Sequence, residues 1–175
     1  LPLSEIKSIK SGSKVFDWEI PPEWNVKDAY VKNKYGEKII DFQMNNLHLV
    51  SYSQPVNLIL NNEEIIKKLY TLPNYPQWIP YRTSYYKRDW GFCCTDELIK
   101  SKKFIGPFEV KIDSSFDNEG ELNWLECVKQ GNSKKEILIS TYCCHPSLAN
   151  DNLSGLIAAV ILFRYLLSIE TKFSY

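Results

Sequence analysis

The sequence predicts an α/β fold, and its carboxyl-terminal third gives the clearest reason. Residues 137–142 begin with a continuous apolar run, which is typical of a strand buried on both faces. A polar loop follows, and residues 153–169 then have the nearly all-apolar character of a helix inside a layered protein. Residues 108–114 and 121–129 have the pattern of long strands joined by a polar turn. Because open α/β sheets bind ligands beyond the carboxyl ends of their strands, the polar loop is the first place to look for a site.

The first hundred residues are predicted to form short strands, short helices and loops. The expected elements, in order, are strands at 15–20, 29–32, 38–42 and 47–52, a helix at 63–70, an irregular proline-rich loop at 72–81, an extended segment at 85–94 and a helix at 96–102. Pro21 stops the first strand, and residues 34–37 provide a hairpin turn between the second and third. Asn61 or Asn62 can cap the first helix, and Thr95 can cap the second.

Composition favours a packed protein and argues against one broad class of partner. Hydrophobic residues make up 44% of 175 residues, which is enough for a core, and 21 basic residues balance 21 acidic ones. A chain with zero net charge lacks the basic surface of a general nucleic-acid binder, so nucleic acid is not an expected partner. The longest apolar run, 156–163, is shorter than the ~20 residues that cross a bilayer. The five cysteines have neither disulfide-framework nor zinc-finger spacing, which predicts a cytoplasmic protein.

One segment combines residue types that bind metal ions. His145 follows the predicted buried strand, and Asp151 stands at the threshold of the predicted helix. Imidazole and carboxylate are ligands of hydrolytic zinc sites because they hold the ion while leaving a position for water. On spacing alone a simpler interpretation stays open, in which Asp151 caps the helix and His145 makes a local hydrogen bond.

The run His-Pro-Ser-Leu-Ala-Asn-Asp-Asn-Leu-Ser-Gly at 145–155 resembles the first metal-binding motif of the zinc aminopeptidase superfamily. More closely, the chain resembles an uncharacterised bacterial and archaeal family of aminopeptidase-like proteins. In that family a small β-rich insert interrupts the metallopeptidase core, and a winged-helix domain commonly follows. Further matching stretches, in the same order along the chain, are 13–21, 23–30, 46–53, 78–81 and 83–93.

The resemblance implies a domain organisation and a metal site. Residues 1–30 and 106–175 would belong to a three-layer zinc-aminopeptidase-like core, a mixed sheet with helices, and residues 31–105 to the β-rich insert. The intact protein would bind two zinc ions, with His145 as a terminal ligand of one ion and Asp151 as the carboxylate that bridges both.

The function implied by the resemblance is zinc-dependent hydrolysis of a peptide or another amide in a small substrate. The general base and the remaining ligands are expected beyond Tyr175, so no catalytic residue is assigned within the chain. Because the chain starts at Leu1 and ends just after a strong helix, we expect a fragment truncated at both ends and inactive alone. The alternative is a non-catalytic binding or regulatory protein that retains the aminopeptidase fold and has lost the metal. It draws on Ser147, which stands where better-known aminopeptidases have an Asp that orients the imidazole.

The aromatic segment 83–92 is a second candidate site. Tyr86, Arg88 and Trp90 are the candidates for substrate binding, with the guanidinium gripping a carboxylate or carbonyl. The alternatives are that the rings form the core of the insert while the charges face water, or that they stack on nucleic-acid bases.

Two further residues receive weaker hypotheses. His48 is expected at the surface or hydrogen-bonded rather than as a ligand, and a thiol-nucleophile role for Cys94 lacks a surrounding motif.

Overall fold

The computed structural model describes residues 3–143 and 147–175, which form a mixed α/β structure with several small sheets. In chain order the elements are β1 (Ser4–Lys10), β2 (Lys14–Val15), β3 (Trp18–Glu19), β4 (Glu23–Lys32), β5 (Lys38–Asp41), β6 (Val56–Leu60), α1 (Asn62–Ile66), β7 (Leu69–Tyr70), β8 (Phe92–Cys93), α2 (Asp96–Lys100), β9 (Phe108–Asp117), β10 (Glu121–Cys127) and α3 (Ser154–Leu167). Among the described residues, none of the helices combines the length and the apolar character needed to cross a membrane.

The chain divides into two compact units. One unit is Pro22–Asn118, and the other combines the segment up to Pro21 with Glu119–Tyr175. The boundaries that the sequence suggested between core and insert, after residues 30 and 105, both fall inside Pro22–Asn118. The assignment of the units to a metallopeptidase core and an insert stays a prediction.

The unit Pro22–Asn118 is built on a four-stranded antiparallel sheet with the order β5-β4-β9-β6. In its central pair, Ala29 lies opposite Ile112 and Val31 opposite Val110, and all four side chains are buried. Alternate residues of a strand face one side of the sheet, so these positions form a continuous apolar surface. Further buried residues complete this core: Ile40, Leu49, Ile65, Phe92, Cys94, Phe104 and Phe108. Each large apolar side chain in it contributes about 1.5–3 kcal/mol through its burial.

The turn and the two helix starts that the sequence predicts in this unit are formed by short-range hydrogen bonds. The Oδ1 atom of Asn33 accepts hydrogen bonds from the backbone N–H groups of Tyr35 and Glu37, at 3.0 and 3.1 Å, and so closes the turn between β4 and β5. Asn61 and Glu64 form a capping box at the start of α1, each side chain accepting from the other residue's backbone N–H. The Thr95 hydroxyl accepts from the backbone N–H of Leu98 and caps α2. The predicted hairpin and both helix starts are therefore confirmed.

Several predicted elements of the first hundred residues are wrong in type or extent. Residues 47–52 do not form a strand, because the Asn45 side chain accepts from the backbone N–H of Leu47 and begins a 3-10 turn at Asn46–His48. The segment 15–20 is split into β2 and β3, with Phe16 at a φ of 55° between them. The first helix ends at Ile66, much of 85–94 is irregular, and β6 was not predicted.

In the other unit, β1 and β10 form a two-stranded antiparallel ribbon from Ser4↔Cys127 to Lys10↔Glu121. The long strands β9 and β10 are consecutive in the chain, but they pair in different sheets. The carboxyl-terminal residues lie beside the segment that follows β10. Lys129 and Tyr175 exchange backbone hydrogen bonds of 2.9 and 3.0 Å.

The predicted buried strand at 137–142 is wrong for the described structure. Residues 137–142 do not form a strand, and the Leu138 side chain is 90% exposed. An apolar run becomes a buried strand only where other strands flank it and satisfy its backbone groups. The predicted helix is present as α3, yet large apolar residues of both segments are exposed: Ile137, Leu138, Ile139, Ile157, Ile161, Leu162 and Tyr165.

Candidate functional site

Asp151 lies in an irregular turn immediately before α3. Residues Ala149–Leu153 form a wide turn in which Asp151 (φ −119°, ψ 85°) and Asn152 (φ −143°, ψ 35°) depart from helical geometry, and the peptide bond between these two residues is cis. The regular helix begins at Ser154, and its N-cap residue, Leu153, makes no side-chain cap. Asp151 does not occupy the N-cap position of α3, which is Leu153. Asp151 is exposed at the junction of loop and helix.

The Asp151 carboxylate has an ordered partner from the preceding segment. The Tyr142 hydroxyl donates a 2.5 Å hydrogen bond to its Oδ1 atom. That distance is typical of a charge-assisted bond between a hydroxyl and an ionised carboxylate. The bond fixes the direction of a side chain that is otherwise exposed to solvent.

Asn152 holds the same two segments together. Its Nδ2 atom donates to the Thr141 hydroxyl at 2.8 Å and to the Tyr142 carbonyl oxygen at 3.3 Å. On its other side, the Asn152 amide occupies the space that a β-carbon at position 155 would need, since Nδ2 lies 2.8 Å and Cγ 2.9 Å from that point. Gly155 thus lets the amide approach the first turn of α3, and the contacts of Tyr142 and Asn152 set the position of Asp151 from both sides.

His145, the second predicted ligand, lies outside the described residues, so its convergence with Asp151 stays a prediction. In residues 3–143 and 147–175, no cluster of three or more His, Cys, Asp and Glu side chains could hold a metal ion. A zinc site needs at least three protein ligands in most cases, and Asp151 is the one predicted ligand among the described residues. The chemistry of Asp151 fits zinc, because its carboxylate is an oxygen donor whose direction the Tyr142 hydroxyl sets. His145, an imidazole, follows Tyr142 by three residues in the sequence.

The predicted substrate-binding residues all lie in the unit Pro22–Asn118, and they have different surroundings. Tyr86 is 91% exposed and packs edge-on against Tyr85 at a centroid distance of 4.9 Å. The Arg88 guanidinium lies 3.5 Å from the centroid of the Phe116 ring, a cation–π contact. Tyr86 and Arg88 remain candidates for contact with a ligand.

Trp90 is half-buried and packs against the hydrophobic core, as expected if the rings form the core of this unit. The Lys68 ammonium lies 5.1 Å from the centroid of its ring and forms a 2.5 Å ion pair with Asp89. The Asp89 carboxylate also accepts from the backbone N–H of Trp90 at 2.8 Å. The hydrogen bond from Lys68, followed by that from Trp90, lowers the pKa of Asp89 below its ordinary value of 3.8. These contacts explain the position of Trp90 without a ligand.

Two other hypotheses are settled by burial and hydrogen bonding. The Nδ1 atom of His48 lies 2.7 Å from the carbonyl oxygen of Cys93, so His48 is hydrogen-bonded, as predicted. Cys94 is fully buried, and burial raises the pKa of its thiol to about 12. A thiol that is neither accessible nor ionised is not a nucleophile, so the thiol hypothesis is excluded.

Sequence reasoning did not single out Tyr142, Asn152 or Gly155, although all three shape the position of Asp151. The signal was present in two forms. Tyr142 is the last residue of the predicted strand before the candidate loop, and Asn152 and Gly155 follow Asp151 by one and four positions.

Comparison with known proteins places these features in a family. Residues 23–115, more than half of the chain and nearly all of the unit Pro22–Asn118, match the model of a domain of unknown function, DUF2172. The chain is 48% identical over 175 residues to the "Putative polysaccharide biosynthesis protein with aminopeptidase-like domain" of Clostridium acetobutylicum, covering 98% of the chain and 39% of that protein.

A solved structure agrees with that match. The crystal structure of a "putative peptidase" from Clostridium acetobutylicum superposes with a TM-score of 0.92 at 47% sequence identity, covering 98% of this chain and 40% of that one. The chain thus spans about two fifths of the length of the relatives that it matches. On the match over residues 23–115, the chain belongs to the DUF2172 family.

Proposed function

We propose that this protein is a zinc-dependent hydrolase of amide bonds, to whose metal site the chain contributes His145 and Asp151. The observation that carries the proposal is the Asp151 carboxylate, exposed before α3 and oriented by the Tyr142 hydroxyl at 2.5 Å. The names of the relatives, an aminopeptidase-like domain and a peptidase, support the reaction class. The three-layer core, the second zinc ion and the assignment of Pro22–Asn118 to an insert belong to the same proposal.

Each residue has a defined part in this proposal. Asp151 supplies negative charge and an oxygen donor to the cation, and His145 supplies a neutral nitrogen donor. When bound, zinc supplies electrophilic polarisation of the amide carbonyl and a nucleophile at neutral pH. Arg88 and Tyr86 are proposed to bind a carboxylate or carbonyl of the substrate through the guanidinium and the hydroxyl.

The proposed substrates are peptides or other small amides. An acylated amino sugar suits the same chemistry, and the relative named for polysaccharide biosynthesis gives a reason to include that class. A panel of aminoacyl p-nitroanilides and N-acetylated amino sugars therefore covers both possibilities in one assay.

The experiment uses protein from the complete open reading frame. We expect hydrolysis of at least one substrate class, loss of activity on chelation and recovery on adding zinc. His145→Ala and Asp151→Asn should abolish this recovery. Asp17→Asn is the matched control, because Asp17 is also an exposed aspartate in a turn outside Pro22–Asn118. Hydrolysis that is insensitive to the chelator, or unchanged in Asp151→Asn, would contradict the proposal. A folded parent protein that neither binds zinc nor hydrolyses any substrate would favour the non-catalytic alternative, which lacks the metal.

A further inference from the structure

The residue that orients Asp151 comes from the segment before the candidate loop. Tyr142 is 51% exposed, so its ring adds little to a hydrophobic core, whereas its hydroxyl makes a 2.5 Å bond to Asp151. A tyrosine that served packing alone would bury its ring and leave the hydroxyl at the surface. Here the ring is partly in solvent and the hydroxyl is directed at a carboxylate.

The segment that carries Tyr142 is itself held in place. Asn152, the residue after Asp151, donates to the Thr141 hydroxyl and to the Tyr142 carbonyl oxygen. The hydroxyl of Tyr142 and the backbone of the same residue are thus both bound to consecutive residues of the turn. These contacts hold the backbone of Tyr142 beside the turn that carries Asp151.

The Tyr142 bond is compatible with a cation on the same carboxylate. An ionised carboxylate offers about four lone-pair positions on two oxygens, and the hydroxyl uses one of them on Oδ1. Partners of this kind orient metal ligands, and their loss typically weakens metal binding ~10–100-fold. Ser147, by contrast, has no carboxylate with which to orient an imidazole.

We propose that Tyr142 is a positioning residue for the zinc site, which holds the Asp151 carboxylate in its metal-binding orientation. This inference rests on the proposed function, because it requires Asp151 to be a ligand. The proposed task differs from that of the Asp in better-known aminopeptidases, which orients the imidazole, because Tyr142 acts on the carboxylate of Asp151.

The test measures the affinity for zinc alone, by competition with a chromophoric chelator, in protein from the complete open reading frame. Tyr142→Phe should weaken zinc binding ~10–100-fold and leave the thermal midpoint of the zinc-free protein unchanged. Tyr165→Phe is the matched control, because Tyr165 is an exposed tyrosine on α3. In the Asp151→Asn background, Tyr142→Phe should cause no further loss, because residue 151 no longer has a carboxylate to position on the zinc ion.

The outcomes separate this inference from the proposed function. If Asp151→Asn weakens zinc binding while Tyr142→Phe leaves it unchanged, the positioning role is wrong and the proposed function stands. If Tyr142→Phe lowers the midpoint of the zinc-free protein in proportion to its loss of affinity, the residue acts in packing and the inference fails. If the parent protein does not bind zinc through Asp151, both proposals fail.

Discussion

Asn152 donates a hydrogen bond of 2.8 Å to the Thr141 hydroxyl and thereby joins the turn before α3 to the segment that leads into it. Because Asp151 and Tyr142 are the neighbours of these two residues, this bond defines the frame of the candidate site. The space for the Asn152 amide exists because residue 155 has no β-carbon.

This contact predicts that Gly155→Ala does not stabilise the protein as a glycine-to-alanine change in a helix usually does. Gly155→Ala would ordinarily stabilise a helix by about 0.5–1 kcal/mol. In this protein we expect it to be neutral or destabilising and to weaken zinc binding, because the new β-carbon displaces the Asn152 amide. In an Asn152→Ala background the same change should stabilise the protein. Urea unfolding of the four proteins measures this cycle, and stabilisation of equal size in both backgrounds would contradict it.

A second prediction separates the two roles of Arg88. Loss of its cation–π contact with Phe116 in Arg88→Ala should cost about 0.5–1 kcal/mol of stability. Lys87→Ala, at an exposed neighbour, should cost less. If Arg88 also binds the substrate, the KM of the Arg88→Ala variant should rise while its kcat changes little. Thermal unfolding and steady-state kinetics measure these effects, and an unchanged KM alongside the expected loss of stability would leave Arg88 a structural residue.

A third prediction concerns the accessibility of the thiols. Cys93 and Cys94 are buried, and burial raises the pKa of each to about 12, whereas Cys143 is exposed. Brief treatment with iodoacetamide at pH 8 should therefore modify Cys143 in the native protein and spare both buried thiols until denaturant is added. Peptide mass mapping provides the readout. Equal modification of Cys94 and Cys143 in the native protein would show that this core is not closed.

The ion pair of Lys68 and Asp89 predicts a defined dependence on pH. The folded-state pKa of Asp89 lies below its ordinary value of 3.8, so the pair contributes stability above that pH and loses it as the pH falls through the folded value. Asp89→Asn should be less stable than the parent at pH 7, by less than about 1 kcal/mol for a partly exposed pair. Urea unfolding should show this difference shrinking in acid. A difference of the same size at pH 7 and pH 3 would contradict the electrostatic origin.

The features predicted correctly from sequence are those that short-range contacts decide. Asn61 and Thr95 cap helices through hydrogen bonds to residues three positions away, and Asn33 closes its turn within four residues. Such contacts form wherever the local sequence permits them. The limits of the four-stranded sheet were less predictable, because β6 and the first half of β4 are stabilised by pairing with β9.

The failures at 47–52 and 137–142 have a common physical cause. Apolar patterns report a preference for burial, but the type of element depends on hydrogen bonds and neighbours that lie elsewhere in the chain. The side chain of Asn45 converts the first segment into a turn. Among the described residues, no neighbouring strand pairs with the second segment. At the site, the motif identified Asp151 as a candidate ligand, and its metal-binding role stays a prediction. Tyr142 was not identified, because its contact depends on the path of the loop between them.

The central claim, that His145 and Asp151 bind zinc, is tested most directly by counting zinc ions per chain in protein from the complete open reading frame. Inductively coupled plasma mass spectrometry should find at least one zinc equivalent in the parent protein and a clear loss in both His145→Ala and Asp151→Asn. Less than one equivalent in the parent, or undiminished zinc in either variant, would contradict the account.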